Sequence, residues 1–282
     1  MNKNVKIHLV VIDPQKDFMD LPGSALPVTG ANEDMNRLAT FIKKHGHRLD
    51  DIHVTLDTHQ IIDIAHPSWW KDAQGKMVAP FTLITASDIK AGIYTPRDPG
   101  QLKRSLEYAE ALEKTGKYML FIWPEHCLVG TWGHGIQENL SNALLEWQRK
   151  EYAMVDFVMK GTNPFTEHYG GLLAEVEDGI DPSTQLNTIL IETLQKADII
   201  LIAGEALSHC VKETIDQIAN NIGADHIAKI KILTDATSPV PQSFEPGTNQ
   251  PTSPDFPAIA QAWLTEIQKR GVEVTTTTTF FN

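Results

Sequence analysis

The stretch ADIILIAGEALSHCVKETIDQIANNIG, residues 197–223, decides the fold. Ile199 to Ala203 form a short, largely β-branched apolar run, and Gly204 breaks it. Val211, Ile215, Ile218 and Ile222 then recur at helical spacing. The segment therefore reads as a buried strand, a tight bend and an amphipathic helix. Cys210 falls at the first turn of that helix, where unpaired backbone N–H groups and the positive end of the helix dipole would stabilise a thiolate and lower its pKa. Taken alone, such a cysteine also fits a small buried apolar residue, since free Cys is among the most buried types.

Working outward, the same strand-then-helix pattern repeats. VKIHLVVID (5–13) is a near-continuous apolar run ending in Asp13, as expected of a central parallel strand covered on both faces. A Pro/Gly-rich loop leads to a helix over 32–45, and DIHVTLD (51–57) is a second strand ending in Asp57. From 58 to 117 the chain is mostly irregular, with one helical segment at 101–114. That length is unusual for an α/β connection and reads as an inserted subdomain or a cover over a site. YMLFIWPEHC (118–127) reads as a strand, 139–149 as a helix, and EYAMVDFVMKG (151–161) as a strand ending in Lys160. Helix 185–196 precedes the Cys210 unit. After it come a strand in IAKIKILTDAT (227–237), a Pro/Ser loop through Pro257, a helix over 258–270 and a terminal strand in VEVTTTTTFFN (272–282).

This alternation predicts an α/β fold, a doubly wound, mostly parallel sheet with helices on both faces. Without an internal repeat or a composition break, residues 1–282 read as one domain with a long insertion at about 67–118. In open sheets of this kind the reactive crevice lies at the carboxyl ends of the strands. Asp13, Asp57, Lys160 and Cys210 each fall at or just past such an end.

A net charge of −12 gives no electrostatic footprint for nucleic acid or an anionic membrane surface. Two cysteines exclude a disulfide framework and suit a reducing cytoplasm. The first apolar run is too short for a signal segment, and no later one approaches a membrane span. The expectation is a cytoplasmic protein with a small-molecule partner, self-association being left open.

Three constellations carry chemistry. Asp13, Lys160 and Cys210 supply a carboxylate to take and return a thiol proton, a cation to steady both anions, and a nucleophile. An Asp–Lys pair that merely neutralises two strand ends is the alternative. Cys127, with no helix starting at it, is the weaker nucleophile. In DTH, Asp57 and His59 stand two apart and share a face of an extended chain. Together they can grip a divalent ion with His126 of WPEH as third ligand and His66 as the next candidate, although chance pairings are expected among 11 His. Zinc, iron and manganese all accept such a mixed set, and incomplete protein ligation would leave positions for substrate. Finally, Phe18 and Trp123, with Trp69, Trp70 and Trp132, could wall a flat ring.

Together these segments resemble the isochorismatase-like cysteine hydrolases, and within them the nicotinamidase branch. VVIDPQKDF with GSALPVTGA resembles the opening strand and loop, DTHQIIDIAH the metal segment, WPEHCLVGTWG the W-P-x-H-C segment, VMKG the lysine strand and GEALSHCVKET the nucleophile segment, all in the family's order. The resemblance implies a triad of Asp13, Lys160 and Cys210, and metal ligands Asp57, His59 and His126, with His66 added in some members. It implies an oxyanion hole from the N–H groups of Ala206 and Cys210, with a cis peptide between Glu205 and Ala206. The substrate ring would lie between Phe18 and Trp123. The activity implied is hydrolysis of nicotinamide to nicotinate and ammonia through a cysteine thioester. Other readings are a metal-containing amidohydrolase for a carbamoyl or ureido compound, and a non-catalytic member binding a metal or partner. Isochorismate ether hydrolysis, which uses no Cys nucleophile, fits less well. Two departures stand out: extra length between His66 and Trp123 and after Asp235, and Glu205 where a small apolar residue is usual. Glu205 is expected to face solvent or pair with a cation.

Overall fold

Every residue of the first strand, β1 (Ile7–Ile12), is buried, His8 included, as its near-continuous apolar run predicts. The computed structural model describes residues 5–243, 247, 250–251 and 253–282, so residues 1–4 and part of the Pro/Ser loop lie outside the described residues. After β1 come α1 (Ala31–His45), β2 (Asp51–Asp57), β3 (Trp70–Asp72), β4 (Leu83–Ile84), α2 (Ala86–Lys90), β5 (Tyr94–Pro96), α3 (Leu102–Thr115) and β6 (Leu120–Phe121). Then follow α4 (Glu138–Glu151), β7 (Asp156–Lys160), α5 (Thr188–Gln195), β8 (Ile199–Gly204), α6 (Lys212–Asn221), β9 (Ile230–Leu233), α7 (Phe256–Lys269) and β10 (Glu273–Thr275).

The main sheet runs β10-β9-β8-β1-β2-β7 with every neighbouring pair parallel. From β1 the chain steps outward through β2 to β7, then jumps back across β1 to β8 and steps the other way to β10. Right-handed crossovers put the helices of the two walks on opposite faces. Accordingly α1 and α4 pack together on one side and α6 and α7 on the other. The reversal of direction falls between β1 and β8, the topological switch point where such sheets bind ligands.

Gly204 makes the bend after β8. Its φ is +118°, and a Cβ there would come within 2.0 Å of the Ile12 carbonyl oxygen. Only glycine lets β8 turn so close to the end of β1, where Glu205 N–H donates to the Ile12 carbonyl at 2.8 Å.

The long connection builds its own small core. Ile64, Trp69, Trp70, Ile84, Tyr108 and Ile122 belong to a cluster separate from the main one. Two antiparallel pairs, β3–β5 and β4–β6, brace it. Of the strand expected in YMLFIWPEHC, only Leu120–Phe121 forms, and it pairs outside the main sheet. Pro124 then ends pairing, having no N–H to offer. The strand expected in VEVTTTTTFFN is also cut short. After Thr275 the chain folds back, with Phe280 N–H donating to the Thr276 carbonyl at 3.1 Å. No helix among the described residues is long and apolar enough to cross a membrane.

Candidate active site

Asp13 follows β1, Lys160 ends β7, and Cys210 lies in a π-helical turn, Leu207–Val211, between β8 and α6. The structure brings the three together. Lys160 Nζ is 3.0 Å from Asp13 Oδ2, 3.0 Å from Asp57 Oδ1 and 3.7 Å from Cys210 Sγ, and it donates to the His168 carbonyl at 2.8 Å. Cys210 Sγ and the Asp13 carboxylate thus share one ammonium, that of Lys160. Thr55, unremarked in the sequence reading, holds Asp13 at both ends. Its hydroxyl accepts from the Asp13 N–H at 3.0 Å and donates to Oδ1 at 2.5 Å.

Burial governs the charge states. It pushes the Asp13 carboxyl above its usual range, against the pull of Lys160. Burial would also strip the Lys160 proton, but the Asp13 and Asp57 carboxylates hold the ammonium well above its ordinary value. For Cys210 the lowered pKa expected from the helix N-terminus is not found. Burial drives the thiol well up, and the carboxylates of Asp13 and Asp57 add to this against Lys160. The resting group is a thiol. Cys127 is fully buried, its thiol likewise pushed up by burial, and its N–H donates to Asp17 Oδ2 at 2.7 Å. Its part is to tie the WPEHC segment to the loop after β1.

The metal-type residues also converge. Asp57 Oδ2 is 3.1 Å from His59 Nε2 and 3.3 Å from His126 Nε2. Ligand nitrogens of His59, His66 and His126 lie within 4.8 Å of one another. His59 Nδ1 faces Asp63 Oδ2 at 3.0 Å, and His126 Nδ1 faces the Pro124 carbonyl at 2.7 Å. Those outer partners fix the tautomers so that both Nε2 lone pairs point inward, the usual preparation of a metal-binding histidine. His66 is fully buried, with no partner of normal hydrogen-bond geometry at either ring nitrogen, and burial holds it neutral with a pKa of about 2. The Asp57 carboxylate, held ionised, the inward-facing His59 and His126, and the orphaned buried imidazole of His66 fit a divalent cation.

Two supports escaped the sequence reading. Gln15 clasps the Asp57 backbone, donating to its carbonyl and accepting from its N–H, both at 2.7 Å. Gly161 has φ +73°, and a Cβ there would meet Asp57 Oδ1 at 2.8 Å and His59 Cε1 at 3.2 Å. Asp63 was legible only as a carboxylate four residues after His59.

A cavity opens above Cys210. Phe18 and Trp123 line it as expected, with Asp57, His126, Ala206 and Cys210. Tyr169, His209 and Glu167 complete the wall and were not foreseen. Tyr169 OH accepts from Trp123 Nε1 at 2.9 Å, fixing the indole. The other tryptophans lie elsewhere. Trp69 and Trp70 are packed in the inserted core, and Trp132 is 49% exposed with Lys16 over its ring. The Glu205–Ala206 peptide is cis, and no acceptor meets the Ala206 N–H among the described residues. Glu205 neither faces solvent nor meets a cation. It is fully buried, accepts from Ser238 N–H at 3.1 Å, and is pushed up by burial and by Asp34, which keeps it protonated.

No family model matches the chain, and no curated protein is significantly similar to it. Solved structures are similar in fold. The yeast nicotinamidase Pnc1p aligns with a TM-score of 0.59 at 20% identity, over 95% of this chain and 99% of that one. The pyrazinamidase of Pyrococcus horikoshii, solved in complex with zinc, aligns at 0.54 and 19%, over 96% and 99%. An isochorismatase family protein from Desulfovibrio vulgaris aligns at 0.51 and 15%, over 97% and 95%. The chain thus has the isochorismatase-like hydrolase fold.

Proposed function

We propose that the protein is a cysteine amidohydrolase of the nicotinamidase type, converting a small carboxamide, nicotinamide in the first instance, to the acid and ammonia. One observation carries the reading. Three stretches far apart in sequence set Asp13 and Cys210 around the one ammonium of Lys160, with Cys210 on the wall of an aromatic-lined cavity. The solved structures of similar fold include enzymes named as nicotinamidase and pyrazinamidase, which is consistent with it.

The substrate amide lies over Cys210 with its ring between Phe18 and Trp123. As Sγ attacks the carbonyl carbon, the thiol proton passes to Asp13, whose basicity burial raises. The Ala206 and Cys210 N–H groups receive the oxyanion, each worth about 3 kcal/mol. Asp13 returns the proton to the departing nitrogen, and ammonia leaves a thioester on Cys210. Asp13 next takes a proton from water, which attacks the thioester, and returns it to Sγ as the acid departs and loses its own proton to solvent. Lys160 stays protonated throughout and balances the buried carboxylates. Asp57, His59, His126 and His66 would hold a divalent ion, zinc, iron or manganese, whose Lewis acidity serves to anchor the ring nitrogen.

One observation favours a second reading, another small amide such as a carbamoyl or ureido compound. Glu167 is a buried carboxyl on the cavity wall whose Oε2 has no partner, a polar group that a plain pyridine ring does not need. Ammonia release from nicotinamide, with and without chelator, tests the proposal. Turnover lost on chelation and restored by a divalent ion supports it. Absence of turnover by the metal-loaded protein rejects nicotinamide and turns attention to polar amides.

A further inference from the structure

A second cluster of ligand-type side chains lies toward the amino ends of the same strands, away from Cys210. Register pairs His8 of β1 with Asp51 of β2, and His53 of β2 with both Val10 of β1 and Asp156 of β7. Since alternate residues share a face, His8, Asp51, His53 and Asp156 all stand on one side of the sheet. The two imidazoles are 3% and 2% exposed. They form a chain of close contacts: Asp51 Oδ2 to His8 Nε2 at 3.3 Å, His8 Nδ1 to His53 Nε2 at 3.2 Å, and His53 Nδ1 to Asp156 Oδ2 at 2.9 Å.

Proton counting makes this chain incomplete. Three contacts need three ring protons to be hydrogen bonds, and two neutral imidazoles carry two. One contact therefore sets a lone pair against a lone pair or a carboxylate unless another cation enters.

We propose that His8, His53 and Asp51 form a second metal site that takes one first-row transition ion of the zinc class, with Asp156 orienting His53. One nitrogen of each ring and one Asp51 carboxylate oxygen lie within 4.8 Å of one another, a spacing that small side-chain rotations close onto a single ion. A proton from His53 Nδ1 to Asp156 leaves Nε2 as a lone pair, which is how metal-ligating histidines are usually held. The Asp51 side chain is 51% exposed, giving an ion a route from solvent and leaving its remaining positions to water. Two imidazoles and one carboxylate suit zinc, cobalt or nickel better than magnesium or calcium. The site lies on the opposite rim from Cys210 and does not rest on the amidase reading.

The test uses the full chain, stripped with chelator, reloaded with excess Zn²⁺ alone, freed of unbound ion and assayed for zinc per chain. Wild type is expected to hold two ions, and Asp51→Asn and His8→Gln one each. Asp51→Asn should keep its ammonia release, and its half-exposed side chain makes it the variant that folds if His8→Gln does not. Titration of Zn²⁺ into Asp51→Asn should show the weaker of the two affinities reduced at least tenfold. A wild-type zinc count no higher than that of Asp51→Asn overturns the proposal. So do two ions retained with unchanged affinity in Asp51→Asn, which would place the second ion elsewhere.

Discussion

Thr55→Val tests the positioning of the proposed base without touching any reacting atom. The hydroxyl accepts from Asp13 N–H at 3.0 Å and donates to Asp13 Oδ1 at 2.5 Å, with both residues fully buried. Valine fills nearly the same space but carries no polar atom, so the swap is not conservative. The orphaned N–H costs about 1–3 kcal/mol, and the lost bond to a carboxylate about 1.5–3 kcal/mol more. Together they should lower stability by about 3–5 kcal/mol at pH 8, a large part of a usual margin. The carboxylate share depends on pH. Burial already raises the folded pKa of Asp13, Thr55 opposes that rise, and its removal raises the pKa further. A charge penalty of this sign is complete above the variant's folded pKa and vanishes below the unfolded value of about 3.9, where both states are protonated. Urea unfolding should therefore show the deficit shrinking to the N–H share near pH 4. In catalysis, the acid limb of kcat/KM for ammonia release should move to higher pH, with a loss of about ten- to a hundredfold at neutrality. A variant with wild-type stability and an unmoved acid limb would refute the role given to Thr55 and the description of Asp13 as the base.

Cys210→Ala should reduce ammonia release to background while leaving bound metal and unfolding midpoint intact; appreciable residual turnover would move the chemistry away from the thiol. Iodoacetamide should label Cys210 in the native protein, faster as pH rises, and label Cys127 only after denaturation; equal rates would contradict the burial argument. Asp63→Asn leaves the His59 tautomer unfixed and should weaken metal binding about 10- to 100-fold, read by titration. Gly161→Ala would press a Cβ on Asp57 and His59 at a backbone conformation costing about 1–2 kcal/mol for other residues, and metal content and turnover should fall together. His126→Ala should lower both metal content and substrate affinity, and unchanged metal would remove it from the ligand set.

The sheet was legible because its inner strands are largely buried and read as mainly apolar runs, and because β1, β2 and β7 each stop at or just before a chemically distinctive residue: Asp13, Asp57, Lys160. Convergence at one rim followed from topology alone, which is why the acid, lysine and cysteine could be grouped before any coordinate. Three kinds of feature were not legible. Short pairings such as Leu83–Ile84 with Leu120–Phe121 have too few residues to show a period. Positioning contacts such as Thr55 to Asp13, Gln15 to Asp57 and Asp63 to His59 link side chains whose partners depend on the folded path. The state of Cys210 was misjudged for a third reason. Helix position suggests a lowered pKa, but burial beside two carboxylates decides the outcome, and burial is a property of the tertiary structure. Glu205 was misplaced likewise, its carboxyl being turned inward to Asp34 and Ser238.

The central claim is that an acyl group is carried on Cys210. Acid-quenching the enzyme during steady turnover of nicotinamide, followed by mass analysis of its peptides, tests it most directly. The account predicts an acyl adduct on the peptide containing Cys210, none on that containing Cys127, and none in Cys210→Ala. Sustained ammonia release with no adduct on Cys210, persisting in Cys210→Ala, would contradict it.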